Sequence, residues 1–113
     1  MAVSTLQGII SSSIGKIGTF GGNSAGTYSY ILPQSGLYLI FFNKTNASSD
    51  VHLGVYLANA TMANGGRVVI RPIVPLDTGV NVTIAIENSQ FVVTIDTNGQ
   101  TYMRGHVYAI SYI

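Results

Sequence analysis

Leu37-Tyr38-Leu39-Ile40-Phe41-Phe42 follows the turn signal Pro33-Gln34-Ser35-Gly36 and decides the reading of the chain. Side chains of a β-strand point alternately to opposite faces. Leu37, Leu39 and Phe41 therefore share one face, and Tyr38, Ile40 and Phe42 share the other. A strand whose sheet has one wet face shows apolar residues on the buried side only. Here both sides are apolar, so two covers are required. The closing stretch, 106–113, repeats the pattern, with Val107, Ala109 and Ile113 opposed to Tyr108, Ile110 and Tyr112. One cover is a second sheet of the same chain. The simplest second cover is a neighbouring copy; the alternative is the N-terminal segment folding back.

Strand signals continue on either side. Thr27-Tyr28-Ser29-Tyr30-Ile31 alternates up to the turn at Pro33. Residues 43–50 form a polar loop, and Val51, Leu53, Val55 and Leu57 alternate after it. Asn64-Gly65-Gly66 is a tight turn before Val68-Val69-Ile70, and Pro72 and Pro75 mark an edge or a crossover. Val80, Val82, Ile84 and Ile86 alternate with Asn81, Thr83, Ala85 and Glu87. Asn88-Ser89 is a hairpin turn into 91–95, and Asn98-Gly99 is the strongest hairpin signal in the chain. About eight strands with turns every ~8–12 residues predict an all-β sandwich or barrel. Residues 1–25 are rich in Gly, Ser and Ile. Val3, Leu6, Ile10, Ile17 and Phe20 fit a heptad, yet Gly8, Gly15, Gly18 and the serines at 11–13 disfavour a helix. This part is expected to be an extended segment or stalk remnant, with the head domain over 26–113.

Composition supports assembly. Charged residues are 8% of the 113 and hydrophobic residues 47%, against a usual charged share of ~25%. A domain with so few charges is expected to hide surface against copies of itself. The net charge is +1, and Lys16, Lys44, Arg67, Arg71 and Arg104 are scattered, so no nucleic-acid partner is expected. Cysteine is absent, which excludes disulfides, thiolate catalysis and Cys-based zinc sites and favours a microbial or viral source. The first residues lack the pattern of a signal peptide, and no apolar run approaches the ~20 residues of a membrane span. If the protein works outside a cell, it reaches there by another route, such as release within a particle, and no membrane insertion is expected.

The inventory of reactive groups is thin. Asp50 and His52 lie two apart, but no G-x-S-x-G accompanies them. Asp50, Asp77, Glu87 and Asp96 fall at strand ends and turns, where carboxylates solubilise and cap. His52 and His106 are too few for a His-based metal site. No catalytic residue, metal or cofactor is expected, and the chain is not expected to be an enzyme. The N-x-[ST] triplets at Asn43, Asn46, Asn59 and Asn81 are read as Asn- and Thr-rich loops. The strand context of Tyr38, Tyr108 and Tyr112 favours a core or a subunit interface, and with Phe42 they are assigned to an oligomer interface. Tyr102 and Arg104, beside polar residues of the Asn98 turn, are candidates for holding a sugar ring. Asn98 and Asn64 complete the candidate ligand set, and loops 43–50, 62–66 and 97–102 are expected to meet the target.

Two stretches carry a family resemblance. Gly26-Thr27-Tyr28-Ser29-Tyr30-Ile31-Leu32-Pro33-Gln34-Ser35-Gly36-Leu37-Tyr38-Leu39-Ile40 resembles an early part of the trimeric jelly-roll heads of the tumour-necrosis-factor and complement-component superfamily. Thr101-Tyr102-Met103-Arg104-Gly105-His106-Val107-Tyr108-Ala109-Ile110 resembles their final strand. Similar heads cap bacteriophage tail fibres and bacterial surface filaments. The resemblance implies a two-sheet jelly-roll sandwich and a homotrimer, with Tyr38, Phe42, Tyr108 and Tyr112 near the shared core. The expected function is a receptor-binding, glycan-binding head acting on a host surface. The alternative is a structural virion or shell protein with no ligand of its own.

Overall fold

Valine, isoleucine, threonine and the aromatics dominate the regular segments, and these residues suit a pleated, half-buried surface. The computed structural model describes residues 14–46, 53–77 and 79–113, and these hold eight strands. They are β1 (Gly15–Gly22), β2 (Thr27–Leu32), β3 (Gly36–Lys44), β4 (Leu53–Thr61), β5 (Arg67–Val74), β6 (Asn81–Glu87), β7 (Gln90–Asp96) and β8 (Met103–Tyr112). Every pairing is antiparallel. A five-stranded sheet runs β1-β8-β3-β4-β5, and a three-stranded sheet runs β2-β7-β6. Strands β3, β4 and β5 follow one another as neighbours while β8 returns beside β3, the spatial order of a Greek key. The all-β, two-sheet expectation holds.

The turns explain part of this order. Asn88 and Ser89, with φ of 52° and 63°, close the β6–β7 hairpin at the Glu87–Gln90 pair. Positive φ at both central residues matches the twist of the flanking strands. Asn98-Gly99 forms its turn too, with the Gln100 amide donating to the Thr97 carbonyl at 2.9 Å. It nevertheless joins strands of different sheets, so the expected hairpin pairing of β7 with β8 does not occur. The buried Thr97 turns the chain out of the small sheet: its amide donates to the Gly26 carbonyl at 3.0 Å. Part of the expected N-terminal segment becomes β1, an edge strand beside β8. It lies in the sheet, not over its face. The rest of the proposed heptad, Val3, Leu6 and Ile10, lies outside the described residues.

The core sits between the sheets. Tyr38, Ile40, Phe42, Tyr56 and Val107 enter from the large sheet, and Leu32, Phe91, Val93 and Ile95 from the small one. The Phe42 ring meets Phe20 and Tyr56 edge-on, with centroids 5.8 and 5.5 Å away. These rings close over Gly105, where a Cβ would stand 2.5 Å from Phe20 and 2.8 Å from Phe42. On the β1–β2 side a Cβ on Gly18 would stand 2.3 Å from the Tyr30 hydroxyl. The bare backbone lets Tyr30 lie across β1 and donate to the Ile17 carbonyl at 3.1 Å.

This packing corrects the assigned interface. Tyr38 and Phe42 are 0% exposed and point into the protomer's own core, so neither is offered to a partner. Tyr112 was expected beside Tyr108 and Ile110. A bulge intervenes: Tyr38 pairs with Ala109 and Leu37 with Ser111, leaving Ile110 without a partner position. The extra residue flips Tyr112 inward, where its ring packs edge-on against Tyr38 at 6.0 Å. Only Tyr108 of the four lies on the outer face.

Phe42→Ala is expected to cost about 3–5 kcal/mol in urea melts, the range for deleting a core aromatic ring. A loss below about 1 kcal/mol would contradict the packing. Among the described residues the Tyr112 hydroxyl is buried without a hydrogen-bond partner, and such a group costs about 1–3 kcal/mol. Tyr112→Phe is therefore expected to be neutral or stabilising in the same melts; destabilisation would show a partner for that hydroxyl.

Candidate functional site

Antiparallel pairing places both the 43–46 and the 97–102 segments at one end of the sandwich, beside the β1–β2 connection. Tyr102 organises this end through its backbone. Its φ is 59°, an uncommon left-handed conformation for a bulky residue. Its amide donates to the Asn23 carbonyl at 3.1 Å, and its carbonyl accepts from the Thr45 amide at 2.8 Å and the Thr45 hydroxyl at 3.2 Å. Such contacts hold a strained residue in place. Its ring is half-exposed.

Arg104, the first outward residue of β8, donates from Nη2 to Asn23 Oδ1 at 2.6 Å. Asn98 is exposed in its turn, and its amide donates to Asp96 Oδ1 at 3.0 Å. Lys44 Nζ reaches Gln100 Oε1 at 3.4 Å. Tyr102, Arg104 and Asn98 thus share one end. Asn64 does not. It sits in the 3₁₀ turn Ala63–Gly65 after β4, and β4 ends near Gly36, its partner for Ala60. The β3–β4 hairpin reverses the chain, so Asn64 and loop 62–66 lie at the opposite end. The three loops expected to meet one target are split.

A polar chain next to this end escaped sequence reasoning, because its members are far apart in the chain. Lys16 Nζ lies 3.3 Å from His106 Nδ1, and His106 Nε2 lies 2.8 Å from Asn43 Oδ1. An ammonium only donates, so Nδ1 accepts, and Nε2 carries the hydrogen donated to Asn43. Partial burial, then Lys16 and Arg104, holds the His106 pKa below its ordinary value. The imidazole is therefore neutral at neutral pH.

The larger departure concerns the outer faces. Facing solvent, the small sheet presents Thr27, Ser29, Asn81, Thr83, Glu87 and Thr94 by strand alternation, with one short apolar row of Ile31, Val92 and Ala85 across its strands; Ser29 and Thr94 join hydroxyls at 3.0 Å. The large sheet presents Leu37, Leu39 and Phe41 from β3 and Tyr108 and Ile110 from β8. Phe41 and Tyr108 stack edge-on there at 5.5 Å. Val55 and Leu57 from β4 join them, because Tyr56, Ala58 and Ala60 are the residues turned inward. Leu57 pairs with Leu39, which pairs in turn with Tyr108, making a continuous apolar row across three strands.

Among the described residues no three His, Cys, Asp or Glu side chains are grouped to hold a metal ion. Asp50 and His52 lie outside the described residues. No helix there is long and apolar enough to cross a membrane. No protein-family model matches the chain, and no curated protein or solved structure matches it either.

Lowering the pH from about 7.5 to 5 is expected to destabilise the protein. With its pKa depressed in the folded state, His106 takes up its proton first in the unfolded chain, near ~6.5. Stability attached to it is whole above that value and is lost as pH falls through the folded pKa. His106→Gln is expected to flatten the difference between urea melts at the two pH values. An equal slope in the variant would remove His106 as the cause.

Proposed function

We propose that the protein is a homotrimeric jelly-roll head that works by binding, at the tip of a bacteriophage tail fibre or bacterial surface filament. The observation that carries this reading is the contrast between the two outer faces. One is mainly polar, broken by the short Ile31–Val92–Ala85 row; the other is a broader leucine- and aromatic-lined surface with charge, among the described residues, only at its margins. Isolated exposed apolar residues are ordinary, but a contiguous patch of this kind marks an interaction surface. With 8% charged residues, the chain has little else to keep that face solvated.

The jelly-roll reading rests on the nesting of terminal strands: β1, β8 and β3 stand in one sheet and β2 and β7 in the other. Copies packed through their large sheets leave the small sheets and loop ends outside. Three identical sites then act together, and avidity raises weak binding without new contacts. The ligand is a host-surface glycan or receptor, with Tyr102, Arg104 and Asn98 as the candidate contacts. A structural shell role without a ligand is the second reading. It is favoured by the internal use of that end, since the Tyr102 backbone and the Arg104 guanidinium already bond to Asn23.

Size-exclusion light scattering at micromolar concentration is expected to give three times the protomer mass for the wild type. Leu39→Glu is expected to give a soluble monomer. A wild-type monomer would sink the assembly. Glycan arrays and pull-downs on whole bacteria with verified trimer separate the two readings: binding that falls in Tyr102→Ala supports the head, and no binding to any glycan or cell supports the shell.

A further inference from the structure

A hollow lies at the end opposite Tyr102, between the β2–β3 turn and the β6–β7 turn. Its volume is about 410 Å³, and its lining includes Ile31, Pro33, Met62 and Phe91 together with Ser35, Ser89 and Gln90. That volume falls within the ~300–1,000 Å³ of small-molecule sites. Three features bear on what it takes. No side chain lining it is charged. Two of its walls are exposed apolar residues, Ile31 at 50% and Met62 at 45%. The third is Ser89.

Ser89 closes the β6–β7 hairpin with φ 63°. The second centre of such a turn is a glycine position, because a left-handed residue with a Cβ is disfavoured. A serine there holds a hydroxyl on the rim of the hollow against the backbone preference. Ser35 adds a second hydroxyl. Its oxygen accepts from the Met62 amide at 3.1 Å, which leaves its own proton to donate. Apolar walls beside hydroxyls and an amide, without charge, match a ring with C–H faces and an equatorial fringe of hydroxyls.

We propose that this hollow binds a neutral hexopyranose ring, the C–H face lying on Met62 and Ile31 and the hydroxyls meeting Ser89, Ser35 and Gln90. This rests on the glycan-binding reading above but moves a sugar site to the opposite end of the sandwich. Being built within one protomer, it does not require the trimer.

The test is NMR titration of the intact protein with the methyl glycosides of glucose, galactose, mannose and N-acetylglucosamine, with sialic acid as a charged control. A neutral sugar is expected to bind with a dissociation constant of ~10⁻³ M and to shift Met62, Ser89, Gln90 and Phe91. Ser89→Gly relieves the backbone and is expected to fold at least as stably while losing about tenfold in affinity. Gln90→Ala is expected to weaken binding similarly. Shifts confined to residues 97–104 would overturn the hollow and leave the glycan reading standing. Unchanged affinity in both Ser89→Gly and Gln90→Ala would overturn the assigned contacts. No shift with any neutral sugar would overturn the hollow, while binding to arrayed glycans or cells would still uphold the head.

Discussion

Strand β3 carries apolar side chains on both faces, and the described residues of the protomer bury only one of them. Tyr38, Ile40 and Phe42 are sealed under the small sheet at 0% exposure. Leu37, Leu39 and Phe41 share the same backbone and must point the other way. No rotation of the strand relieves this, because a one-residue slip only exchanges the two sets. The neighbours of β3 are built to match: Tyr108 on β8 and Val55 and Leu57 on β4 extend the outward apolar surface on either side. Everything proposed about assembly follows from that constraint.

The edges point to the face as the route of association. Exposed edge strands invite pairing with other chains, and proteins blunt them with proline, bulges and charge. Strand β5 carries Pro72, and its register with β4 skips at Ile73. Strand β1 carries Lys16 and an irregular register next to it. Strand β6 alternates Asn81, Thr83 and Glu87 outward. Edge pairing is thus discouraged, while the apolar centre of the large sheet's outer face is half-buried within the protomer. The Lys16–His106–Asn43 chain and Arg104 stand at the margin of that surface. A face-to-face assembly would put this polar chain on its rim, where charged groups set partner choice more than strength.

Most strand positions, the all-β class and the two apolar faces of β3 were legible in the sequence, because period-two alternation directly reports a strand's faces. Which face turned inward was not legible for β3 or β4. Both of their faces are apolar, or small and apolar, as with Ala58 and Ala60, so alternation alone cannot choose. The choice comes from the glycine at 105 and the rings packed over it, a tertiary fact. The Ile110 bulge hid Tyr112 in the same way, since one inserted residue reverses everything after it. Of the candidate site, the grouping of Asn98, Tyr102 and Arg104 followed from nearness in the chain. The separation of Asn64 required the strand order. The contacts of Asn23 and Lys16 escaped because their partners on β8 lie 81 and 90 residues away.

The absence of cysteine gives direct access to the central claim, since one introduced thiol is the only one present. Leu57→Cys lies on the outer face of the large sheet, and Thr83→Cys on that of the small sheet. The account predicts that maleimide labels Thr83→Cys rapidly at every protein concentration. Leu57→Cys should label slowly at micromolar concentration and quickly when Leu39→Glu is added. Equal, rapid labelling at both positions in the undisturbed protein would show the large sheet uncovered and would contradict the account.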